Sequence, residues 1–268
     1  MNRRTFLKAV PALAILAAKG LSLAQDAAPR PAAAPDAPKA PAAGDAAAQP
    51  PPKDMQPIVL PKPQADGGKS VLAALHERKT IRAISEEKLP PQMLSNLLWA
   101  AFGVNREKGP GGGLGRTAAS ASNSQEIDLY VALAEGVYLY EAAPHRLAPV
   151  LAGDLRAKVG RGRGGAGAKA PVRLIFVADI AKFAGARFQE PGLKDAEIQK
   201  SYYHIDAGLI AGNVYLFAAS QGVAAWFHNC DKAGLAKDLN LRADQRVLYG
   251  QTVGYPATSQ TRPASAPA

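Results

Sequence analysis

From Asp195 to Gln221 the chain reads as one unbroken helix, and no other stretch restricts the fold as strongly. Ile198, Tyr202, Ile205, Leu209, Val214, Leu216 and Phe217 spread apolar surface over too much of its circumference for one solvated face. Ala207, Gly208, Ala211 and Gly212 lie among them and allow another backbone to come close. Gly222 supplies the stop expected at a helix end. Such a helix needs partners on more than one side. The continuous apolar run Val172–Ala178 suits a central buried strand that meets part of that demand.

The remaining elements are shorter. Ser70–Lys79 reads as a helix with Val71, Leu72 and Leu75 on one face. A second helix starts at Pro91, a residue tolerated at a first helical position, and runs through Met93, Leu94, Leu97, Leu98 and Ala101 to Gly103. Ile127–Leu133 alternates as a half-buried strand, and Val137–Tyr140 returns after a Glu135-Gly136 turn, so the two form a hairpin. Val223–Phe227 and Val247–Val253 add strands, with a short helix over Asp231–Leu239 between them. The expected class is α+β, with an antiparallel hairpin and further strands packed against long helices. There is no internal repeat.

The N-terminal quarter has a different composition. Arg3-Arg4-Thr5-Phe6-Leu7-Lys8 precedes a weakly apolar run, Ala9–Ala18, that falls short of the roughly 20 residues a membrane span needs. Ser22-Leu23-Ala24 offers a small-x-small cleavage pattern. Residues 1–24 resemble a twin-arginine export signal, an address read by a translocase, although an ordinary secretory signal also carries a positive n-region. The twin-arginine pathway carries folded proteins, often with a cofactor already inserted. Its use implies a periplasmic protein and the twin-arginine translocase as a partner during export.

Residues 25–67, rich in Ala and Pro, have no apolar periodicity and are expected to form a disordered spacer. The folded domain is expected over 68–262 and a disordered tail over 263–268. Cys230 is the only cysteine, so no intramolecular disulfide forms and no lipoprotein anchor is present. The formal charge of +10 falls to +6 when Arg3, Arg4, Lys8 and Lys19 leave with the signal. That mild excess suits an anionic ligand, and the chain lacks the interleaved aromatics and arginines of an RNA-binding surface.

Two segments carry chemistry. In Arg78-Lys79-Thr80-Ile81-Arg82, three cations and a hydroxyl fall within five residues. Arginine forks match phosphate oxygens, although cations near a helix C-terminus also simply complement its dipole. Ser120-Ala121-Ser122-Asn123-Ser124-Gln125 is dense in small residues and amides that can both donate and accept; a polar surface loop has the same composition. Together they resemble the nitroreductase-like flavin family. Arg78, Thr80 and Arg82 match its Arg-x-Ser-x-Arg/Lys motif, with threonine in place of serine. Ser120 to Gln125 match its Pro-Ser-x-x-Asn-x-Gln segment, with Ala119 in place of proline. The likeness continues through Asp206-Ala207-Gly208, Gly222–Trp226 and Val253-Gly254-Tyr255-Pro256. The hairpin after Gln125 looks most like the branch that includes azoline-oxidising dehydrogenases. Glu126-Ile127 stands where nitroreductases often have Pro-Trp, which argues against nitroaromatic reduction in particular.

The resemblance implies a mostly antiparallel mixed sheet packed with long helices, and FMN bound at the interface of an intertwined homodimer. Arg78 and Arg82 would hold the ribityl phosphate, with Thr80 adding a hydroxyl and Arg262 completing the clamp. Ser120 belongs to the ring-side loop, where Asn123 would meet ring or ribityl oxygens with Gln125 close by. Ala225 and Trp226 would pass near the ring. The expected activity is ping-pong hydride transfer through flavin N5 to or from a small molecule, with no protein acid or base strictly required. A non-catalytic periplasmic flavin- or ligand-binding accessory protein is the alternative. His76, His145, His204 and His228 lack metal-ligand spacing, and no metal is expected. The glycine-rich stretches Gly109–Gly115 and Gly160–Gly167 invite a dinucleotide reading, but the second precedes a strand rather than following one, the reverse of the Rossmann order; both read as mobile loops, with cover for the site as the lesser alternative for one of them.

Overall fold

The structure, a computed structural model, describes residues 55–109, 113–160 and 170–257. In chain order its elements are β1 (Ile58–Val59), α1 (Val71–Glu77), α2 (Pro91–Phe102), β2 (Val104–Arg106), β3 (Gly115–Arg116), β4 (Ile127–Ala132), β5 (Gly136–Glu141), β6 (Arg146–Ala152), α3 (Arg156–Val159), β7 (Val172–Asp179), α4 (Ala196–Gln221), β8 (Ala224–His228), α5 (Lys232–Asp238) and β9 (Gln245–Gly254). One sheet carries the order β1-β6-β5-β4-β7-β9-β8, with every neighbouring pair antiparallel; β2 and β3 form a separate ribbon.

Every residue of β7 is buried, because both faces of the sheet are covered. Leu174, Phe176 and Ala178 point into the larger core with α2 and α4, whereas Ile175 and Val177 point into a second core with Leu235 and Leu239 of the α5 region and Val159 of α3. Period-2 alternation on a doubly covered strand yields a run without polar breaks. The same covering buries Tyr130 and Ala132 on the second face of β4, so this strand is buried on both sides rather than half-buried.

Helix α4 begins on Asp195, whose carboxylate accepts the amide hydrogens of Glu197 and Ile198 at 2.9 and 3.0 Å, and ends on Gly222 in the left-handed region at φ 71°. Tyr203, Ala207, Ile210, Ala211, Val214 and Ala218 face the core. Ile205 and Leu209 face outward, with Ile205 60% exposed, and nothing lies within 4 Å of a Cβ placed on Gly208 or Gly212. On α1 the expected apolar face is also turned out: Val71, Leu72 and Leu75 are exposed and Ala74 is the buried residue. Each of the two helices thus leaves apolar residues uncovered.

The spacer expected over 25–67 is too long at its C-terminal end. Ile58 and Val59 pair with Leu147 and Arg146, and Leu60 is buried in the main core. Ser95 Oγ donates to the Pro61 carbonyl, Gln92 Nε2 to that of Lys62, and the Gln64 amide to Asn96 Oδ1. Ile58 and Leu60, packed on the main core with Met55, hold this strap together with those hydrogen bonds, although the surrounding Pro, Lys and Gln mask them in the composition. The residues before Met55 lie outside the described structure. Leu60→Ala is expected to lower unfolding free energy by about 2–5 kcal/mol; denaturant unfolding checks this, and unchanged stability would detach the strap from the core.

Candidate functional site

The expected phosphate cluster lies where α1 ends. Arg78 caps the helix, and its amide donates to the Ala74 carbonyl. The chain then runs extended along the edge strand β8: Ile81 N–H donates to the Ala225 carbonyl at 3.1 Å, and Ile84 bridges to Pro256. Covering this edge protects the sheet from further pairing and fixes the segment's register. The Arg78 guanidinium lies 5.5 Å from the Tyr215 ring centre, and that of Arg82 lies 5.8 Å from Trp226. Among the described residues neither forms an ion pair, and both are exposed.

Tyr215 ties the cluster together. Its hydroxyl accepts the Phe227 amide at 2.9 Å and lies 3.1 Å from Thr80 Oγ1. With the amide supplying one hydrogen, the tyrosine O–H is free to donate to Thr80. When the tyrosine donates, the threonine hydrogen faces a ligand; when the threonine donates, its oxygen accepts from one. The structure therefore gathers Arg78, Thr80, Arg82, Ala225 and Trp226 at one place. Arg262 lies outside the described residues. Tyr215 escaped the sequence reading because an aromatic on a long apolar helix carries no signal for its hydroxyl.

The second cluster is a strained turn between β3 and β4. Ser122, Asn123 and Gln125 have φ of 51°, 53° and 50°, a conformation that costs non-glycine residues on the order of 1 kcal/mol or more each. Side-chain hydrogen bonds hold it. The Gln125 amide N–H donates to Ser120 Oγ (3.0 Å), and the Ala121 N–H donates to Asp206 Oδ2 on α4 (2.8 Å). Gln125 Nε2 donates to the Leu114 carbonyl and to Asn123 Oδ1, while its Oε1 accepts from Arg116 Nε at 2.7 Å. Every polar atom of the Gln125 side chain is thus engaged within the protein.

Arg106, Arg116, Thr117, Ser120, Asn123 and Phe188 are among the residues lining a cavity of about 500 Å³ beside this turn. Thr117 Oγ1 is buried without a hydrogen-bond partner, and Phe188 presents an exposed ring. Burial pushes the Arg116 pKa down, and the guanidinium stacks over Phe102 at 4.6 Å. Residues 110–112 and 161–169 of the two glycine-rich stretches lie outside the described structure, so a loop covering the site from there would too.

The two clusters do not meet within the chain. Asp206 anchors one and Tyr215 the other, roughly 14 Å apart along α4 at about 1.5 Å per residue. No described hydrogen bond or cavity joins them. His228 sits beside the first cluster, 4.6 Å from Trp226 between ring centres. Its Nδ1 donates to the Asn229 carbonyl, so Nε2 accepts from Thr252, and burial holds its pKa below the usual value. His204 pairs with the Tyr249 hydroxyl at 3.1 Å, and Cys230 is buried in the second core.

Beneath the turn lie Glu126 and Asp206, two buried carboxyl groups that the motif reading did not select. Burial, with Asp206 adding to it, pushes the Glu126 pKa up to about 7; burial also raises that of Asp206. A carboxylate one residue ahead of an alternating strand, like one within a helix, ordinarily faces water. Only their packing together marks them.

The profile of the nitroreductase family matches residues 75–255. A candidate nitroreductase of Methanocaldococcus jannaschii is 28% identical over 157 residues, 56% of this chain and 73% of that protein. The crystal structure of a candidate nitroreductase from Ralstonia eutropha superposes with a TM-score of 0.67 at 33% identity, covering 77% of this chain and 92% of the other. A chain of the Escherichia coli microcin synthetase complex shares the fold, with a TM-score of 0.56 at 16% identity over 75% of this chain and 78% of its own. The profile spans both clusters, and the Ralstonia protein shares sequence as well as fold, so this chain belongs to the nitroreductase family.

Proposed function

We propose that the protein is an exported, FMN-dependent oxidoreductase that works as a homodimer. The carrying observation is the pair of exposed guanidinia at Arg78 and Arg82, without carboxylate partners among the described residues, on either side of a threonine whose hydroxyl lies 3.1 Å from that of Tyr215. A phosphate dianion requires such converging charge-assisted donors. Members of the family typically bind FMN, act on small molecules and are often dimeric.

The donor set fits the rest of that cofactor. Asn123 Nδ2 is unengaged among the described residues and suits ring or ribityl oxygens, while the orphaned Thr117 hydroxyl lies in the same cavity. Ser120 and Gln125 hold the turn in shape. Ala225 and Trp226 offer flat apolar cover beside the phosphate cluster; Arg262, outside the described residues, matches the family's late basic residue in sequence alone. When bound, FMN supplies two-electron chemistry, accepting a hydride at N5 and passing it on. The chain's residues bind and orient it and exclude water, with no acid or base assigned.

A second copy of the chain explains why the clusters stand apart. The uncovered apolar surface of α1 and α4, with open space over Gly208 and Gly212, suits a symmetric partner that brings one protomer's arginines to the other's Asn123 turn. Within the family, the hairpin after Gln125 favours the branch with azoline-oxidising dehydrogenases, without assigning it their substrates. Export sets the redox context: free nicotinamide cofactors are scarce outside the cytoplasm, so a quinone-linked donor suits the site better.

Purified protein is expected to be yellow and to release FMN on denaturation; a colourless protein that cannot be reconstituted would overturn the reading. Arg78→Ala and Arg82→Ala should each weaken FMN retention about tenfold or more, since hydrogen bonds between charged groups contribute about 1.5–3 kcal/mol. Unchanged occupancy by spectrophotometric titration would remove the phosphate assignment. Reduction of the bound flavin by quinol or NAD(P)H, with reoxidation by an acceptor, separates an enzyme from a binding protein. For the export reading, replacing Arg3 and Arg4 by lysine should retain the protein in the cytoplasm on fractionation. Continued export would indicate the general secretory route.

A further inference from the structure

We infer that Glu126 and Asp206 share one proton and together position the Asn123 turn, holding it ready for the cofactor while the pair is singly protonated and loosening it when both ionise. The inference rests on the reading of this turn as the flavin-binding loop.

The geometry ties both ends of the turn to the pair. Ala121 at its start donates its amide hydrogen to Asp206 Oδ2 at 2.8 Å; Ser124 at its end donates its hydroxyl to Glu126 Oε2 at 2.6 Å. Between them stand Ser122 and Asn123, both left-handed. Glu126 is 0% exposed, and its backbone carbonyl is fixed to the sheet by the Asp179 amide. Asp206 is 4% exposed, on the rigid α4. Glu126 Oε1 is buried and accepts no hydrogen bond. A carboxyl oxygen in that position is satisfied when it carries the proton and donates to the neighbouring carboxylate.

Among the described residues no cation forms an ion pair with either acid. The ionisable group acting on Glu126 is Asp206 from α4. Around them, Arg116 of β3 is turned to Gln125 and to the Phe102 carbonyl, Asp128 of β4 pairs with Lys182, and Asp179 of β7 pairs with Arg242. Two buried carboxylates facing each other cannot both ionise without a large cost. The Ser124 hydroxyl and the Ala121 amide favour the ionised carboxylates, so the cost is one of repulsion, relieved as the two side chains move apart and carry the ends of the turn with them.

The sign follows from the raised carboxyl pKa. Folded Glu126 keeps its proton to about pH 7, whereas an unfolded glutamate loses it near 4.5. Its stabilising contribution is therefore complete below about 4.5, is lost as pH rises through about 7, and does not change further above that. Cofactor that requires the ordered turn binds the protonated form more tightly.

Titrating the full-length protein with FMN at pH 6 and pH 8, followed by flavin fluorescence, tests the pair. Wild-type affinity should fall up to about tenfold, the scale of one linked proton over one pH unit. Glu126→Gln, a permanently neutral isostere, should hold within about twofold, as should Asp206→Asn, which removes the like charge. A cofactor-free readout accompanies this: the wild-type melting temperature should fall between pH 5 and 7 relative to Glu126→Gln, and the gap should stay constant above. Parallel pH profiles in wild type and both variants would overturn the inference. If FMN binds at no pH, the flavin reading fails, and the cofactor-free melts still decide the carboxyl pair.

Discussion

A strand covered on both faces leaves no room for a slipped register, and β7 imposes that constraint on everything around it. Moving its pairing with β4 or β9 by one residue would exchange Leu174 and Phe176 with Ile175 and Val177 between two cores of different depth. Phe176 is fully buried and meets Phe227 edge-on at 5.7 Å, so the register of β7 is carried through to β8, the strand bearing Ala225 and Trp226. Arginines at the edge of the sheet are thus placed by packing at its centre. The 78–84 segment contributes little hydrophobic anchoring beyond Ile81 and Ile84, and it borrows its geometry from the β8 edge.

Helix α4 acts as a second ruler. Its buried side fixes it to the sheet, and from the same rod Tyr215 holds the cationic cluster while Asp206 holds the strained turn. A rigid spacing of roughly 14 Å prevents one protomer from closing both clusters on one small group. The outward side of that helix, apolar and lined with glycine, is where closure by a second copy is least hindered. On the proposed homodimer, packing inside the chain and assembly outside it would use opposite sides of one helix. This also explains why its apolar residues occupy more than one stripe.

Much of this was legible because it is written in local chemistry. Asp195 and Gly222 bracket α4, Pro91 opens α2, and the uninterrupted Val172–Ala178 run marks the doubly buried strand. What escaped depends on contacts distant in sequence. Strand β6 contains Pro149, which breaks the period-2 signal. Ile58–Leu60 is too short to register in a proline-rich stretch. The apolar face of α1 was readable, but whether it turns inward or outward is set by how α1 lies on α4, not by its own periodicity. The arginines and Asn123 of the site carried a motif, whereas Tyr215 and Asp206 each act through a single atom that reaches Thr80 or Ala121 more than 80 residues away, and Glu126 is marked only by its packing against Asp206.

The site's two ends present opposite electrostatic problems. Arg78 and Arg82 stand exposed without carboxylate partners among the described residues, so an anionic ligand there would supply the neutralising charge with no buried ion pair to break. The Asn123 end buries two acids under a turn already strained at three positions, where on the proposed sharing a proton rather than a cation provides the compensation. A lysine or arginine there would neutralise the pair more permanently. It would also draw the carboxylates away from the Ala121 amide and the Ser124 hydroxyl that define the turn. Sharing a proton keeps both oxygens on those donors. It preserves the geometry that a neutral ring requires at the expense of sensitivity to pH near neutrality.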